Sequence, residues 1–429
     1  MNEDFLAYVW KFQYFDKTAL ACTNGQPLAI LRTGLQNFNA GPDFLDASIR
    51  LEDLTWAGAV ELHVKASDWQ KHQHLTDQKY DQVILHVVWE NDMPVSRTDG
   101  SPVPVLELKN RVVPGLWQTY QQLRQPKPTI PCEPFLPAVS GITKTTMVER
   151  TLLERLEIKA GRLRQIYQNA TNNWEETAYE ALLSGFGFKI NQAGFVKLAK
   201  ALPFKTLQKH RHQPIALEAL FFGQAGFLTE TFEDAYLQQL QKEHAFLKHK
   251  YNLPAALQPA DWNFLRLRPA NFPTVRLAQL AALFSAHAHW FSAFLEHKTI
   301  KQFEAFFAAK PSVYWQTHYM PNRAGNFKSG GLGKSSVHLL LINVVAPLLV
   351  AYARETDQPD LVERALELLE QLPAEKNSIL QMYENLSFEN RSAAQSQGLL
   401  QLNQEYCRPV KCLHCAIGNS VLKQSKAFR

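Results

Sequence analysis

The chain has 429 residues, 46% hydrophobic and 20% charged, which is too long for one core and too apolar for an extensively disordered chain. A net charge of +5 suits a polyanionic partner without demanding one, and five cysteines are too few for a disulfide scaffold. The start MNEDFLAYVW is acidic and amphipathic rather than leader-like, so a cytoplasmic protein without a membrane partner is expected.

Residues 3–15 carry Phe5, Leu6, Val9 and Phe12 at helical spacing, which predicts a short amphipathic helix. The period then changes. LAILRT, after Gln26-Pro27, reads as a strand; the turn-rich GLQNFNAGPDF leads into DASIRL (46–51) and WAGAVELHV (56–64), completing a three-stranded meander. After the polar segment SDWQKHQHLTDQKYD, QVILHVVW (82–89) has the β-branched content of a central strand. PVPVLELKN supplies a further strand with its prolines at the edge, where a missing N–H costs no ladder bond. Five prolines in QPKPTIPCEPFLPAV predict a stiff linker.

Beyond the linker the pattern is helical. Val148, Leu152, Leu156, Leu163, Ile166 and Tyr167 form one apolar stripe, and Arg155, Lys159 and Arg162 share another face. The apolar run from Val337 to Ala353 contains His338, Asn343 and Pro347 and reads as a buried helix. The expected fold is α/β (α+β): a mixed α/β domain over 1–124, a linker over 125–140, an all-helical domain over 141–405 and a Cys-rich tail over 406–429.

Candidate chemistry concentrates between Asp43 and Asp92. Asp43 follows Gly41-Pro42 at the entry to the second strand of the meander. Glu61, His63 and Lys65 alternate along the third strand, so they point to one face while Leu62 and Val64 point to the other. Ionisable groups gathered on one strand face need partners, and a divalent cation is one. Carboxylates of Asp43 and Glu61 from neighbouring strands can hold Mg²⁺ or Mn²⁺, with His63 or Lys65 positioning the attacking water. Alternatively, His63, His72, His74 and His86, close in sequence to Asp77 and Asp92, can bind zinc and activate water, as in a zinc-dependent hydrolase.

Helix, meander, Pro42-Asp43 and then Glu61-Leu62-His63 together resemble the PD-(D/E)XK nuclease core. That resemblance implies metal-dependent hydrolysis of DNA or RNA, with Asp43 and Glu61 on the metal and Glu3 on the first helix assisting. The sequence departs from the pattern at His63, where the family carries lysine; Lys65 lies one step further along the same face. A non-catalytic nucleic-acid or protein-binding module that kept the fold is the other expectation. The segments GPDF (41–44), VELHVKASDWQKHQH (60–74), YDQVILHVVWEND (80–92), FGQAGFL (222–228), RPANFP (268–273) and YCRPVKCLHCAIG (406–418) also resemble a bacterial family known as domain of unknown function 2851, which implies no reaction.

Three further features complete the reading. Cys407, Cys412 and Cys415, with Cys132 as a fourth ligand, can hold zinc or an iron–sulfur cluster. One upstream cysteine with three near the end resembles the iron–sulfur staple of some PD-(D/E)XK exonucleases, although the internal spacing differs. GNFKSGGLGKSS (325–336) fails as a Walker A loop, because Lys328 stands where its first glycine belongs, and Ser335 or Ser336 is expected to cap the following helix instead. The basic segments KHRH (209–212) and RLRP (266–269), near Trp262 and Phe272, read as solvated surface with a nucleic-acid contact as the alternative.

Overall fold

The structure, a computed structural model, describes residues 1–37, 41–72, 74, 77–124, 130–325 and 329–424; the stretch 125–129 of the expected linker and Lys328 lie outside the described residues. A mixed sheet occupies the amino-terminal region and a larger all-helical region follows, as the hydrophobic periods predict. The chain forms two compact units, one of residues 1–147 together with 402–429 and the other of residues 148–401.

In the first unit, helix α1 (Glu3–Phe12) starts where the Asn2 side chain accepts the Phe5 N–H, and it buries Phe5, Leu6, Val9 and Trp10. The strands are β1 (Leu28–Arg32), β2 (Leu35–Gln36), β3 (Phe44–Leu51), β4 (Leu54–Lys65), β5 (Val83–Glu90) and β6 (Val105–Glu107). Their order is β1-β3-β4-β5-β6, with β2 paired to β3. The meander β1-β3-β4 is antiparallel; β5 and β6 join in parallel, with Glu61 opposite His86 and His63 opposite Val88. The central position of β5 explains its unbroken apolar run, since both of its faces are buried from Val83 to Val88.

Gly58 sits where β4 meets the start of β5. A Cβ there would stand 2.5 Å from the Gln82 carbonyl oxygen and 2.6 Å from Ile84 Cγ2, so only glycine permits this approach. Just beyond, a short helix α2 (Asp68–Lys71) drops Trp69 into an apolar cluster with Ala59, Ala66, Val83 and Val88.

The proline-rich stretch differs from a simple tether. Its residues Glu133–Ala138 form a 3₁₀ helix, and Ile130, Cys132 and Leu136 are buried. The two units divide between Met147 and Val148, inside the helix Gly141–Asn169 rather than in the proline-rich stretch. The carboxyl-terminal segment belongs to the first unit: Tyr8 and Tyr14 hydroxyls both donate to Asn419 Oδ1, at 3.0 and 2.9 Å.

In the second unit the expected buried helix runs over Lys334–Thr356, continuous through a π turn at Leu341–Val345. It is long and apolar enough to cross a membrane, but 72% of its apolar window is buried inside the protein, the signature of a core helix.

Replacing Gly58 with alanine should lower stability by about 1–3 kcal/mol, because the added methyl meets a backbone carbonyl that cannot move aside without shifting β5. Chemical denaturation followed by circular dichroism measures this, and an unchanged midpoint would contradict the close approach.

Candidate metal centre

β4 supplies the centre's first two side chains, and the segment after it supplies the rest. Glu61 and His63 lie on the face shared with Ala59, and they are 5% and 1% exposed. Trp69 fixes α2, its indole N–H donating to the Ser96 carbonyl at 3.1 Å. The His74 N–H returns to the Trp69 carbonyl at 3.1 Å. A buried tryptophan thereby delivers His72 and His74 to the strand. His74 is buried and stacks on Tyr80, with ring centroids 3.6 Å apart, while His72 stays exposed at the mouth.

Asp43 and Glu61 are locked together through the backbone. The Asp43 N–H donates to Glu61 Oε2 at 3.0 Å, and the Leu62 N–H donates to Asp43 Oδ2 at 3.0 Å. Gly41, at φ +114°, permits the turn that brings Asp43 alongside. Each acid thus has one oxygen engaged. Glu61 Oε1 faces the imidazoles, 3.3 Å from His74 Nε2 and 3.7 Å from His63 Nε2. His63 Nδ1 meets His86 Nε2 at 2.8 Å, and His63 Nε2 meets His72 Nδ1 at 3.0 Å. His63, His72 and His74 each offer a nitrogen, all within 4.8 Å of one another.

The electrostatics follow from burial. Desolvation is the main reason that both carboxyl groups sit above their ordinary range, and their mutual repulsion and the nearby Glu3 charge add to it. Glu3 is itself raised, chiefly by burial, with His72 and His74 opposing. Burial pushes His63 far below its usual value, and neighbouring His86, His72 and His74 add to that. His86 is pushed down to about 3 by burial and His74 is lowered for the same reason. Burial therefore disfavours both protonation of His63, His74 and His86 and ionisation of the carboxyl groups beside them. A divalent cation inverts that balance, because neutral imidazole nitrogen and carboxylate oxygen are the forms that ligate.

The donor set fits a transition ion. Ligands at about 2.0–2.1 Å from tetrahedral zinc stand about 3.3 Å apart; His63 Nε2 and His72 Nδ1 are 3.0 Å apart, and the nitrogens of all three imidazoles lie within 4.8 Å. Among the described residues, neither ring nitrogen of buried His74 has a hydrogen-bond partner, and nor does His86 Nδ1. Buried imidazole nitrogens without partners are costly unless something else occupies them.

The structure gathers Asp43, Glu61, His63, His72, His74 and His86 at one place, with Glu3 within electrostatic reach. Lys65 is exposed at the end of β4, its N–H donating to Asp68 Oδ2 at 3.1 Å. Trp69 and Tyr80 were not foreseen as parts of the centre; the only signal for either was an aromatic inside an otherwise polar segment. In the KHRH segment His210 is buried and bonded to Gln213 and Tyr251, so that segment is not simply solvated.

Against known families, residues 3–378 match the model described as Protein of unknown function (DUF2851). The chain belongs to this family. No curated protein and no solved structure matches it, so the likeness to the PD-(D/E)XK core finds no support in the comparisons. Every residue of the centre lies within the span matched by the DUF2851 model, whereas Cys407, Cys412 and Cys415 lie beyond it.

The raised carboxyl groups make stability depend on pH. A group whose pKa is higher in the fold stabilises it below the unfolded value and loses that contribution as pH rises through the folded one. For Asp43 and Glu61 the loss begins near their ordinary values of 3.8 and 4.5 and continues toward neutrality. The lowered histidines act oppositely, losing stability as pH falls below 6.5. In chelator, the double variant Asp43→Asn, Glu61→Gln should therefore melt above the wild type at about pH 8, with the gap closing by about pH 4. Added Mn²⁺ or Zn²⁺ should reverse the order. A gap independent of pH would mean that the pair is ionised in the fold.

Proposed function

We propose that the protein is a metal-dependent hydrolase acting on phosphodiesters of DNA or RNA, its ion held by His63, His72 and His74. The observation that carries this reading is three imidazole nitrogens within 4.8 Å of one another beside a buried carboxylate. Glu61 is the general base: Oε1 points at the imidazoles, and its raised pKa suits a group that must accept a proton near neutrality. Asp43 holds Glu61 in place through the reciprocal backbone bonds. His86 orients His63 by accepting a hydrogen bond from Nδ1–H at Nε2, which leaves His63 Nε2 to ligate. A bound transition ion lowers the pKa of its water and neutralises charge on a phosphate oxygen. Glu61 would take a proton from the attacking water and return it to the leaving ester oxygen, so that the P–O bond formed to water replaces the P–O bond broken.

A second reading keeps Mg²⁺ or Mn²⁺ between Asp43 and Glu61, as the PD-(D/E)XK resemblance implies. The influence of Glu3 on both acids favours it; their engagement by backbone N–H groups counts against it. Cleavage of labelled DNA and RNA with Zn²⁺, Mn²⁺ or Mg²⁺ separates the readings. On the imidazole reading, His74→Ala and Glu61→Gln each reduce cleavage by about 10²–10⁴-fold and His74→Ala also loses the bound metal. Full activity in His74→Ala with loss in Asp43→Ala would transfer the ion to the carboxylates. Metal binding without cleavage would leave a non-catalytic nucleic-acid or protein-binding module. A cytoplasmic location accompanies the proposal, since a reducing compartment suits cysteines that form no disulfide among the described residues.

We propose also that Cys132, Cys407, Cys412 and Cys415 form a structural site for zinc or an iron–sulfur cluster. Cys132, Cys412 and Cys415 are buried, and Cys132 is raised by burial and by the charges of the other three. Metal analysis with a visible spectrum should find zinc, or iron with a broad absorption band, lost together with much of the first unit's stability in Cys132→Ser. Metal-free protein with five titratable thiols would end that proposal.

A further inference from the structure

The helical unit carries an open-mouthed cavity of about 380 Å³, within the range of small-ligand sites. One wall is Arg276, on the helix Pro273–Ala286, and only 5% of it is exposed. Buried guanidinium groups are normally paired with carboxylates, because an isolated buried charge is among the costliest features a fold can carry. Here every hydrogen-bond partner is neutral. Nη1 donates to Gln279 Oε1 at 2.9 Å, and Nη2 donates to Asn271 Oδ1 at 2.8 Å and Ser336 Oγ at 3.1 Å. Nε is buried and has no acceptor among the described residues. The Phe188 ring lies 4.6 Å from the guanidinium carbon, presented by a backbone at φ +41° with the next residue at +72°. Desolvation alone pushes Arg276 down to about 10, with no carboxylate opposing it.

A second source of positive potential faces the same space. The 23-residue helix Lys334–Thr356 begins at the cavity, with Ser335 and Ser336 in its lining. Neither serine is the cap expected from the sequence. Gly333 holds the cap position and has no side chain to offer, while the Ser336 hydroxyl accepts from Arg276. The Ser336 and Val337 N–H groups return to the Gly333 carbonyl, leaving those of Lys334 and Ser335 without a backbone acceptor among the described residues. The nearby acid is engaged elsewhere: Glu304 contacts Lys334 and His338, at 3.7 and 3.4 Å. The loop before the helix is tied to Arg276 as well, because Gln279 Nε2 donates to the Gly330 carbonyl at 3.1 Å while its oxygen accepts from Arg276.

We propose that this cavity binds an aromatic phosphate monoester of nucleoside-monophosphate size. The phosphate would sit against Arg276 Nε, the Ser335 and Ser336 hydroxyls and the free N–H groups of the helix start. Its ring would lie among Phe186, Phe188 and Phe195. A tetrahedral anion matches donors that converge from a side chain, a hydroxyl pair and a helix terminus, whereas a planar carboxylate meets only part of that set. Nothing here depends on the metal centre, which lies in the other unit.

The test uses the full chain, dialysed free of phosphate, with adenosine monophosphate, phenyl phosphate, inorganic phosphate and benzoate as calorimetric titrants. The two esters should bind, inorganic phosphate should compete with them, and benzoate should bind at least about tenfold more weakly. Ser335→Asp places a negative charge at an exposed first-turn position that favours the helix, so it should fold normally yet weaken ester binding about tenfold or more. Arg276→Gln should abolish binding, with a melting curve reporting its folding, while His74→Ala should bind as the wild type. No binding of either ester, benzoate binding as tight, or unchanged affinity in Ser335→Asp would each overturn the proposal.

Discussion

The amino-terminal unit is organised around one interaction: the Glu61 carboxylate, 5% exposed on a central strand, accepting the Asp43 N–H at 3.0 Å. A carboxyl group in that position is costly as an anion, since burial removes its water and Asp43 and Glu3 stand nearby. The surrounding choices are intelligible as responses to that cost. His63, His74 and His86 fill the space with imidazoles whose protonation burial disfavours, and His72 joins them at the mouth. Trp69 packs against the His86 ring and Tyr80 covers the His74 ring, while His72 is the exposed member of the cluster.

Sequence reading reached the parts of this arrangement that are local. Alternation along β4 put Glu61 and His63 on one face, and the glycine-proline turn put Asp43 at the mouth of the adjoining strand. The parallel pairing that sets His86 opposite Glu61 is not local. It depends on Gly58, whose missing side chain lets β5 approach, and a single glycine in a strand does not announce which strand it admits. Trp69 and Tyr80 were hidden for a related reason. In a polar segment an aromatic residue signals burial somewhere, but the thing it covers is decided by the return path of the chain.

The proline-rich stretch illustrates the opposite error. Prolines were read as stiffness and separation, yet Ile130, Cys132 and Leu136 carry enough apolar surface to be buried in the first unit. The tail joins the same unit through Asn419, which accepts from two tyrosine hydroxyls more than four hundred residues earlier in the chain. Local composition cannot reveal a docking of that sequence separation. Only the spacing of the cysteines hinted that residues 132 and 407–415 share a neighbourhood, because a four-ligand site needs a fourth ligand from somewhere.

The motif GNFKSGGLGKSS carries the same lesson one level further. Judged as a phosphate loop it fails at Lys328, and that judgement concerned the pattern rather than the physics behind it. The physics asks for free N–H groups at the start of a long helix, hydroxyls beside them and a cation without a counter-charge. Those three features meet at Ser335, Ser336 and Arg276, with the cation contributed by a helix some sixty residues upstream. A buried guanidinium held only by neutral oxygens is under-satisfied for the same reason that Glu61 is. The two units thus contain groups of opposite sign that the fold itself leaves uncompensated. Folding energetics alone favours replacing such groups with apolar residues of similar volume. Their presence in cavities lined by suitable donors and acceptors points to ligands of the complementary charge.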